Sequence, residues 1–295
     1  MPLVVAACSP GQQAGLMEEP LMIEAVGTAG QQNRQGETGV IALRAVMDVT
    51  TRTGTNVQTS AFVAGREVTV ILENYLEEDE ESGNDVLKAG PTANTCTVGT
   101  DQTTLMLPNT TGLLQYPGTG DLYAKAVTPK PTGNRFTVAA DQREESDYLA
   151  SDLVLSERRA YSQKTGVLEL PFKHLMAKIV VKLTPANDSG ITTDDIAAAK
   201  VEIQAWRTCS FNISSQTSIL PTDIVYTARE LVRLSPNGAC IIPPQVYQPG
   251  ERFIIITPAG GSRKIITIPT PNGKTFEGGK EYVYDINVNS GWELS

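Results

Sequence analysis

The segment 177–183 constrains the fold because apolar and polar side chains alternate along it. Its odd positions are all apolar, whereas Lys178 and Lys182 occupy two of the three even positions. A period of two predicts a half-buried β-strand. The only histidine of the chain, His174, comes just before this strand, so no histidine pair is available to bind a metal. We interpret His174 as a packed, hydrogen-bonded side chain at the edge of a core.

Short apolar runs of this kind recur along the chain and are separated by turns. With 18 Pro and 25 Gly in 295 residues, and 40% hydrophobic residues, the composition indicates an all-β protein with real cores. The absence of βαβ alternation favours two β-sandwich domains, 39–160 and 161–295, after a Gln- and Gly-rich tether, 1–38. The strand Val167–Leu170 is expected to open the second half.

One short helix is expected in the second half. Thr192, Thr193, Asp194 and Asp195 can cap a helix over Ile196–Lys200, because such side chains accept hydrogen bonds from the N–H groups of a first turn.

The net charge of −9 argues against binding to nucleic acid or to an anionic membrane surface. No run of 18 apolar residues is present, so the sequence predicts no transmembrane helix.

Cys8 follows Val5, Ala6 and Ala7, an order that fits the lipobox of bacterial lipoproteins, in which the cysteine is acylated. The apolar run before it, 1–5, is shorter than an export signal. We therefore expect a misassigned start or a trimmed signal, and anchoring by lipid. The alternative is a chance match in a flexible N-terminus.

The other cysteines are Cys96, Cys209 and Cys240, and no CxxC pair suggests zinc. Two possibilities stay open for Cys209 and Cys240: a disulfide in an oxidising compartment, or two separate buried thiols.

No catalytic motif is visible: GxSxG, HExxH and the P-loop are all missing. We predict no enzyme, no catalytic residues, no cofactor and no metal. A secreted hydrolase whose carboxylates meet only through folding remains a third hypothesis. Trp206 and Trp292 are candidates for sugar platforms or for core residues.

Several segments carry motifs that occur in a fixed order. They are Phe62–Val68, Tyr116–Gly120, Gln142 with Asp147–Ala150, Phe172–Ile179, Ile242–Gln245 and Phe276–Tyr284. Together they resemble the fimbrillin family, the subunits of type V pili in Bacteroidales. The F-x-H-x-x-A-K motif at 172–178 and the F-x-x-G-x-x-Y-x-Y motif at 276–284 are the most specific. Arg66 stands where the family usually has Asp.

The resemblance implies two transthyretin-like Greek-key β-sandwich domains and export as a lipoprotein to the outer membrane. There, an arginine-specific protease removes the N-terminal segment with its first strand. A strand of the next subunit then fills the groove by donor-strand exchange, a form of β-augmentation. The implied partners are other pilus subunits, the protease, the outer membrane before processing, and a host or bacterial surface ligand.

The strand Val40–Val46 is the expected displaced strand, with Val40, Ile41, Leu43 and Val46 as its apolar side chains. Its loss would leave a long unpaired edge. We expect cleavage after Arg52 in the following polar loop, and second after Arg44, since a loop arginine is accessible to a protease and a strand arginine is not.

Only 290–295 follow Asn289, which is too little for a C-terminal donor strand. This favours a tip or accessory subunit, or a truncated product. We thus predict a structural and adhesive subunit of a cell-surface fimbrium. The alternative is a non-polymerising surface lipoprotein that binds carbohydrate or protein ligands.

Overall fold

A computed structural model describes most of the chain after residue 39. The described ranges are 40–47, 62–76, 86–108, 112–115, 121–132, 135–161, 166–211, 221–224, 228–269 and 271–293. Cys8, Arg52, the tether 1–38 and the motif Tyr116–Gly120 lie outside these ranges.

The first part of the chain is made of strands with one short helix. Its elements are β1 Val40–Met47, β2 Glu67–Leu76, β3 Val86–Val98, β4 Thr104–Met106, β5 Leu114–Gln115, β6 Asp121–Thr128, β7 Arg135–Thr137, α1 Glu145–Ala150, β8 Val154–Tyr161 and β9 Gly166–His174.

Seven of these strands form a closed ring of hydrogen-bonded neighbours. Their order is β4-β3-β2-β6-β8-β9-β1, and the pairing of Leu43 with Leu105 joins β1 back to β4. β5 also pairs with β1. Because side chains alternate along each strand, one face of the ring is apolar and encloses a core that includes Val70, Cys96 and Leu170.

The second part of the chain is again mostly strand. Its elements are β10 Ala177–Pro185, α2 Thr193–Ala198, β11 Lys200–Ala205, β12 Thr208–Phe211, β13 Pro221–Ile224, β14 Glu230–Arg233, β15 Ala239–Ile242, β16 Gln245–Tyr247, β17 Arg252–Thr257, β18 Lys264–Thr267, β19 Lys274–Phe276, β20 Glu281–Val288 and a 3₁₀ turn at Ser290–Trp292.

These strands form small sheets, in the orders β15-β10-β20, β14-β11-β17-β18 and β16-β19, while β13 and β12 join β7. The pairing scheme repeats that of the first part. β10 lies between β15, antiparallel, and β20, parallel, just as β1 lies between β4 and β9. Likewise, β11 lies between β14 and β17 as β2 lies between β3 and β6.

The described residues form three clusters of buried apolar side chains. One lies in the ring, and a second surrounds Phe253, Tyr247 and Phe276. The third contains Leu155 from β8 and Ile241 from β15, so it joins the two parts.

The all-β prediction is confirmed, but one strand is in another place than expected. Val167–Leu170 belongs to β9, which pairs with β1 and completes the first ring, instead of opening the second half. The reason is that Leu168, Leu170 and Phe172 point into the first core. Sheet membership changes at Leu175 and Met176. Since Thr38–Ser295 form one compact unit, the division at residue 160 into two Greek-key domains stays a prediction.

The short helix is also displaced from its expected position. α2 ends at Ala198 and Lys200 already belongs to β11. Thr192 is the N-cap: its hydroxyl accepts from the backbone N–H of Asp195, and the Asp195 carboxylate accepts from the backbone N–H of Thr192.

Candidate strand-exchange site

β1 is one strand of the closed ring and is hydrogen-bonded on both sides. It runs parallel to β9 in a register that extends from Ile41 opposite Gly166 to Met47 opposite Phe172. On its other side it is antiparallel to β4 and β5. Removal of β1 alone would therefore expose two strand edges that face each other across one gap.

The inward side chains of β1 are part of the first core. Ile41, Leu43 and Ala45 are at most 2% exposed. Burying a large aliphatic side chain contributes about 1.5–3 kcal/mol, so Ile41 and Leu43 supply most of the apolar affinity of β1 for the ring. Ala45 lies in register with Leu170, where the core accommodates a small side chain.

The outward face of β1 carries one ion pair between apolar neighbours. Nη1 of Arg44 lies 3.8 Å from Oε1 of Glu169 on β9, and both side chains are about half exposed. Val46, Val167 and Met106 are exposed on the same face. An exposed ion pair contributes little to affinity. The inward side chains therefore supply most of the binding free energy of β1, and the outward ion pair changes it only slightly.

The connection from β1 to β2 starts and ends near one aromatic ring. Met47 is the register partner of Phe172. Phe62, the next residue that the structure describes after Met47, packs edge to face on Phe172 with ring centroids 4.9 Å apart. The intervening residues 48–61 contain Arg52, which is outside the described part. Arg44, the second cleavage candidate, lies within β1 with paired strands on both sides.

Family motifs that are distant in sequence meet beside this ring. His174 is 8% exposed, and its Nδ1 lies 2.6 Å from Oδ2 of Asp152. Arg66 donates from Nη2 to the backbone oxygens of Leu149 and Asp152, and from Nε to Thr128. Burial lowers the pKa of the Arg66 guanidinium, and the nearby Asp152 carboxylate opposes that shift. The prediction that His174 is a packed and hydrogen-bonded side chain is confirmed.

A second pair of motifs meets where β10 begins. A Cβ on Gly278 would lie 2.4 Å from the carbonyl oxygen of Leu175, so only glycine fits there. Gly279 donates its N–H to the carbonyl oxygen of Met176. The glycines of the C-terminal motif therefore allow close approach to the backbone that follows His174.

The buried thiols are separate from one another. Cys96, Cys209 and Cys240 are free and buried, so the structure answers the question left open for Cys209 and Cys240. Burial raises the pKa of Cys96 and of Cys209 to about 12.

The two tryptophans differ in their surroundings. The guanidinium of Arg229 lies 3.8 Å from the ring centroid of Trp206 and covers one face of the indole. Trp292 packs against the second core. The contact of Trp292 favours the core interpretation, whereas the half-buried Trp206 beneath Arg229 keeps both interpretations open.

A buried ion cluster escaped sequence reasoning. Glu73 on β2 lies 3.4 Å from Nζ of Lys125 on β6 and 3.0 Å from Nε of Arg158 on β8. Arg158 also stacks on the ring of Tyr123. The sequence signal for a buried charge was that Glu73 directly follows the apolar run 70–72.

Within the described ranges, no three side chains of the metal-binding types are grouped closely enough to hold an ion. Among the same residues, none of the helices has the length and apolar character needed to cross a membrane.

Several solved structures share the fold at low sequence identity. A proposed cell adhesion protein of Bacteroides uniformis matches with a TM-score of 0.62 and 17% identity, over 87% of this chain and 97% of the other. One from Bacteroides ovatus matches with a TM-score of 0.60 and 14% identity, over 88% and 96%. One from Bacteroides thetaiotaomicron matches with a TM-score of 0.50 and 14% identity, over 84% and 92%. No curated protein sequence matches the chain significantly.

A family match covers most of the chain and begins just after β1. The family is described as Fimbrillin-like, and the match spans residues 49–294. This is the family that the ordered motifs indicate. The chain belongs to the fimbrillin-like family.

Proposed function

We propose that this protein is a structural and adhesive subunit of a cell-surface pilus that assembles by protease-triggered donor-strand exchange. The observation that carries the proposal is the position of β1. It is the first described strand, it is hydrogen-bonded on both sides within the ring, and residues 48–61 lie between it and Phe62, ahead of β2. One cut in that stretch would leave β1 on an N-terminal peptide that is no longer covalently joined to the rest of the chain.

A cut would not by itself empty the groove. Ile41 and Leu43 would still be buried, and the hydrogen bonds to β9 and β4 would still be made. The cleaved β1 would leave when a competing strand with its own apolar side chains enters, because the competitor satisfies the same backbone groups. Exchange would then be driven by the better-fitting strand.

The start of the chain fits this scheme. Cys8 in its lipobox would carry the lipid that anchors the precursor to the outer membrane. Cleavage after Arg52 would place Cys8, the tether and β1 on one peptide, and the departure of that peptide during strand exchange would detach the subunit from its anchor. Arg44 is the poorer site because strand pairing on both sides shields its backbone.

The position proposed for this subunit is a tip or accessory one. The described residues that follow β20 pack on the body of the protein. Residues 290–293 turn back onto the body: Nζ of Lys264 donates to the carbonyl oxygen of Gly291, and Asn289 donates its N–H to the carbonyl oxygen of Glu293. With Trp292 against the second core, this segment acts as part of the body and not as a free donor strand. In that position the subunit would contact a host or bacterial surface ligand.

The test is limited digestion with an arginine-specific protease, followed by intact mass and N-terminal sequencing. The wild-type chain should be cut after Arg52 and, when mixed with another pilus subunit, should form multimers that survive mild SDS. Arg52→Gln should block both the cleavage and the formation of multimers, while Arg44→Gln should leave both unchanged. A wild-type chain that is cut and stays monomeric with every pilus subunit overturns the proposal; glycan-array binding by that chain would then favour a non-polymerising binding lipoprotein.

A further inference from the structure

The outward ion pair of β1 has counterparts in the second part of the fold. Nζ of Lys178 on β10 lies 2.8 Å from Oε2 of Glu281 on β20, and this pair is buried. Nζ of Lys182 lies 3.9 Å from Oδ1 of Asp285, and this pair is exposed like that of β1. In each pair the two residues are register partners across parallel strands. β10 and β20 form a parallel pair, as β1 and β9 do.

One charge rule therefore holds in both parts of the described structure. The first strand of each parallel pair supplies the cation, and the last strand supplies the anion at the matching position. Arg44 and Glu169 are such register partners as well. The repetition at three positions indicates that the anion on the last strand helps set which strand lies beside it, and in which register.

We propose that Glu169 selects a basic side chain on the strand that replaces β1. This inference rests on the proposed strand exchange. Once β1 has left, the Glu169 carboxylate projects from β9 between the apolar side chains of Val167 and Pro171. The entering strand binds best with large apolar residues at the positions of Ile41 and Leu43, and with Lys or Arg at the position of Arg44.

The selection acts through repulsion as well as attraction. An exposed ion pair contributes little, so replacing the cation by a neutral side chain weakens binding only about two- to fivefold. A strand with a carboxylate at this position meets a like charge directly opposite, which is unfavourable between neighbouring strands. An ion pair at Glu169 that adds little affinity can therefore still distinguish a basic strand from an acidic one when their apolar side chains are the same.

The preference for a basic side chain opposite Glu169 excludes β20 as a replacement for β1. The exposed outward residues of β20 are Val283, Asp285 and Asn287, so no register places a cation from this strand opposite Glu169. β20 of a second copy is therefore excluded, and the occupant that we infer is a strand of another pilus subunit with a basic residue between its apolar positions.

The experiment uses the full chain with a specific protease site inserted between β1 and β2, so that nicking does not depend on Arg52. After nicking, a fluorescent eight-residue peptide with the β1 sequence VIALRAVM displaces the native strand, and anisotropy and native mass spectrometry report the exchange. The same peptide with Gln or Glu in place of its arginine, and the β20 sequence EYVYDINV, serve as competitors.

On the wild-type chain, the arginine peptide should bind more tightly than the glutamine peptide by about two- to fivefold, and the glutamate and β20 peptides should bind most weakly. Glu169→Lys should reverse the order of the arginine and glutamate peptides. Glu157→Gln, which removes an exposed, ion-paired glutamate of β8, should leave the order unchanged. The differences should shrink at high salt.

The outcomes separate the two proposals. If the arginine peptide enters and Glu169→Lys leaves the order of the peptides unchanged, Glu169 is not the selector, and strand exchange itself stands. If no peptide enters the nicked chain while β1 is shown to have left, both proposals are wrong.

Discussion

The side chain of Gln142 pairs with the backbone of Ile241 as a neighbouring strand would. Its Nε2 donates to the carbonyl oxygen of Ile241 and its Oε1 accepts from the N–H of Ile241, each at 2.8 Å. Gln142 is fully buried and lies in the crossing before α1, while Ile241 is in β15. One amide therefore connects the first part of the fold to an edge of the second.

We expect Gln142→Leu to destabilise the protein by about 2–6 kcal/mol. The leucine would leave two buried backbone groups of Ile241 without partners, at about 1–3 kcal/mol each. Urea unfolding followed by circular dichroism measures this cost. Gln102→Glu, at an exposed position, should change stability by less than about 0.5 kcal/mol. A Gln142→Leu chain as stable as the wild type would show that this amide is replaceable.

Gln142→Glu should make stability depend on pH. A protonated carboxyl can still donate to Ile241 and accept from it, whereas a carboxylate would face the carbonyl oxygen without a proton. The folded-state pKa of the new carboxyl should therefore lie above its unfolded value, and the stability it contributes is lost as pH rises through the folded pKa. Melting temperatures at pH 5 and pH 8, taken relative to the wild type, should differ more for Gln142→Glu than for Gln102→Glu.

The sequence predicts the strands better than it predicts their neighbours. Alternation at 177–183 identified β10 correctly, because a period of two directly reports the faces of a strand. The same alternation in Val167–Leu170 identified a strand but not its sheet. Whether β9 joins β1 or β10 depends on pairing between residues more than one hundred positions apart, which a local pattern does not encode.

Polar contacts across the sheet were likewise out of reach. Glu73, Lys125 and Arg158 come from three strands and meet only through their register. The motif with Gln142 could be recognised from its letters, but its partner, Ile241, could not. The displaced-strand hypothesis for β1 came from the family resemblance and from its place in the chain, and the structure adds its two-sided pairing.

In the ion cluster of Glu73, Lys125 and Arg158, loss of the shared anion should cost more stability than loss of one cation. Glu73→Gln should destabilise the protein by about 3–5 kcal/mol, because it removes a buried carboxylate that Lys125 and Arg158 share. Lys125→Met should cost less, since Glu73 keeps Arg158 at 3.0 Å. Lys173→Met, which removes an exposed ion pair with Glu157, should cost at most about 1 kcal/mol. Urea midpoints would rank the three variants, and a larger loss for Lys125→Met than for Glu73→Gln would contradict this account.

The two faces of β1 should respond differently to truncation. Leu43→Ala should cost about 2–5 kcal/mol, because Leu43 is 1% exposed and its removal leaves a cavity in the first core. Arg44→Ala should cost at most about 1 kcal/mol. In a chain nicked between β1 and β2, Leu43→Ala should also speed the release of β1, as measured by native mass spectrometry. Similar effects of the two variants would mean that the apolar face does not hold the strand.

Cys96 offers a direct measure of whether the ring opens. It is buried in the same core as Ile41 and Leu43, and burial raises its pKa to about 12, so at pH 8 it is almost wholly the unreactive thiol. When β1 leaves, water reaches this core and the pKa should return toward the ordinary value of about 8.5, which increases the reactive thiolate.

In a Cys8→Ser background, iodoacetamide labelling resolved by peptide should therefore be slow at all three remaining cysteines of the intact chain. After nicking and removal of β1 without a replacement strand, Cys96 should become labelled many times faster, and a bound replacement peptide should restore its protection. Cys209 and Cys240 should stay protected because they lie in the other two cores. Labelling of all three together would indicate general unfolding, and continued protection of Cys96 after β1 has left would show that the ring closes without it.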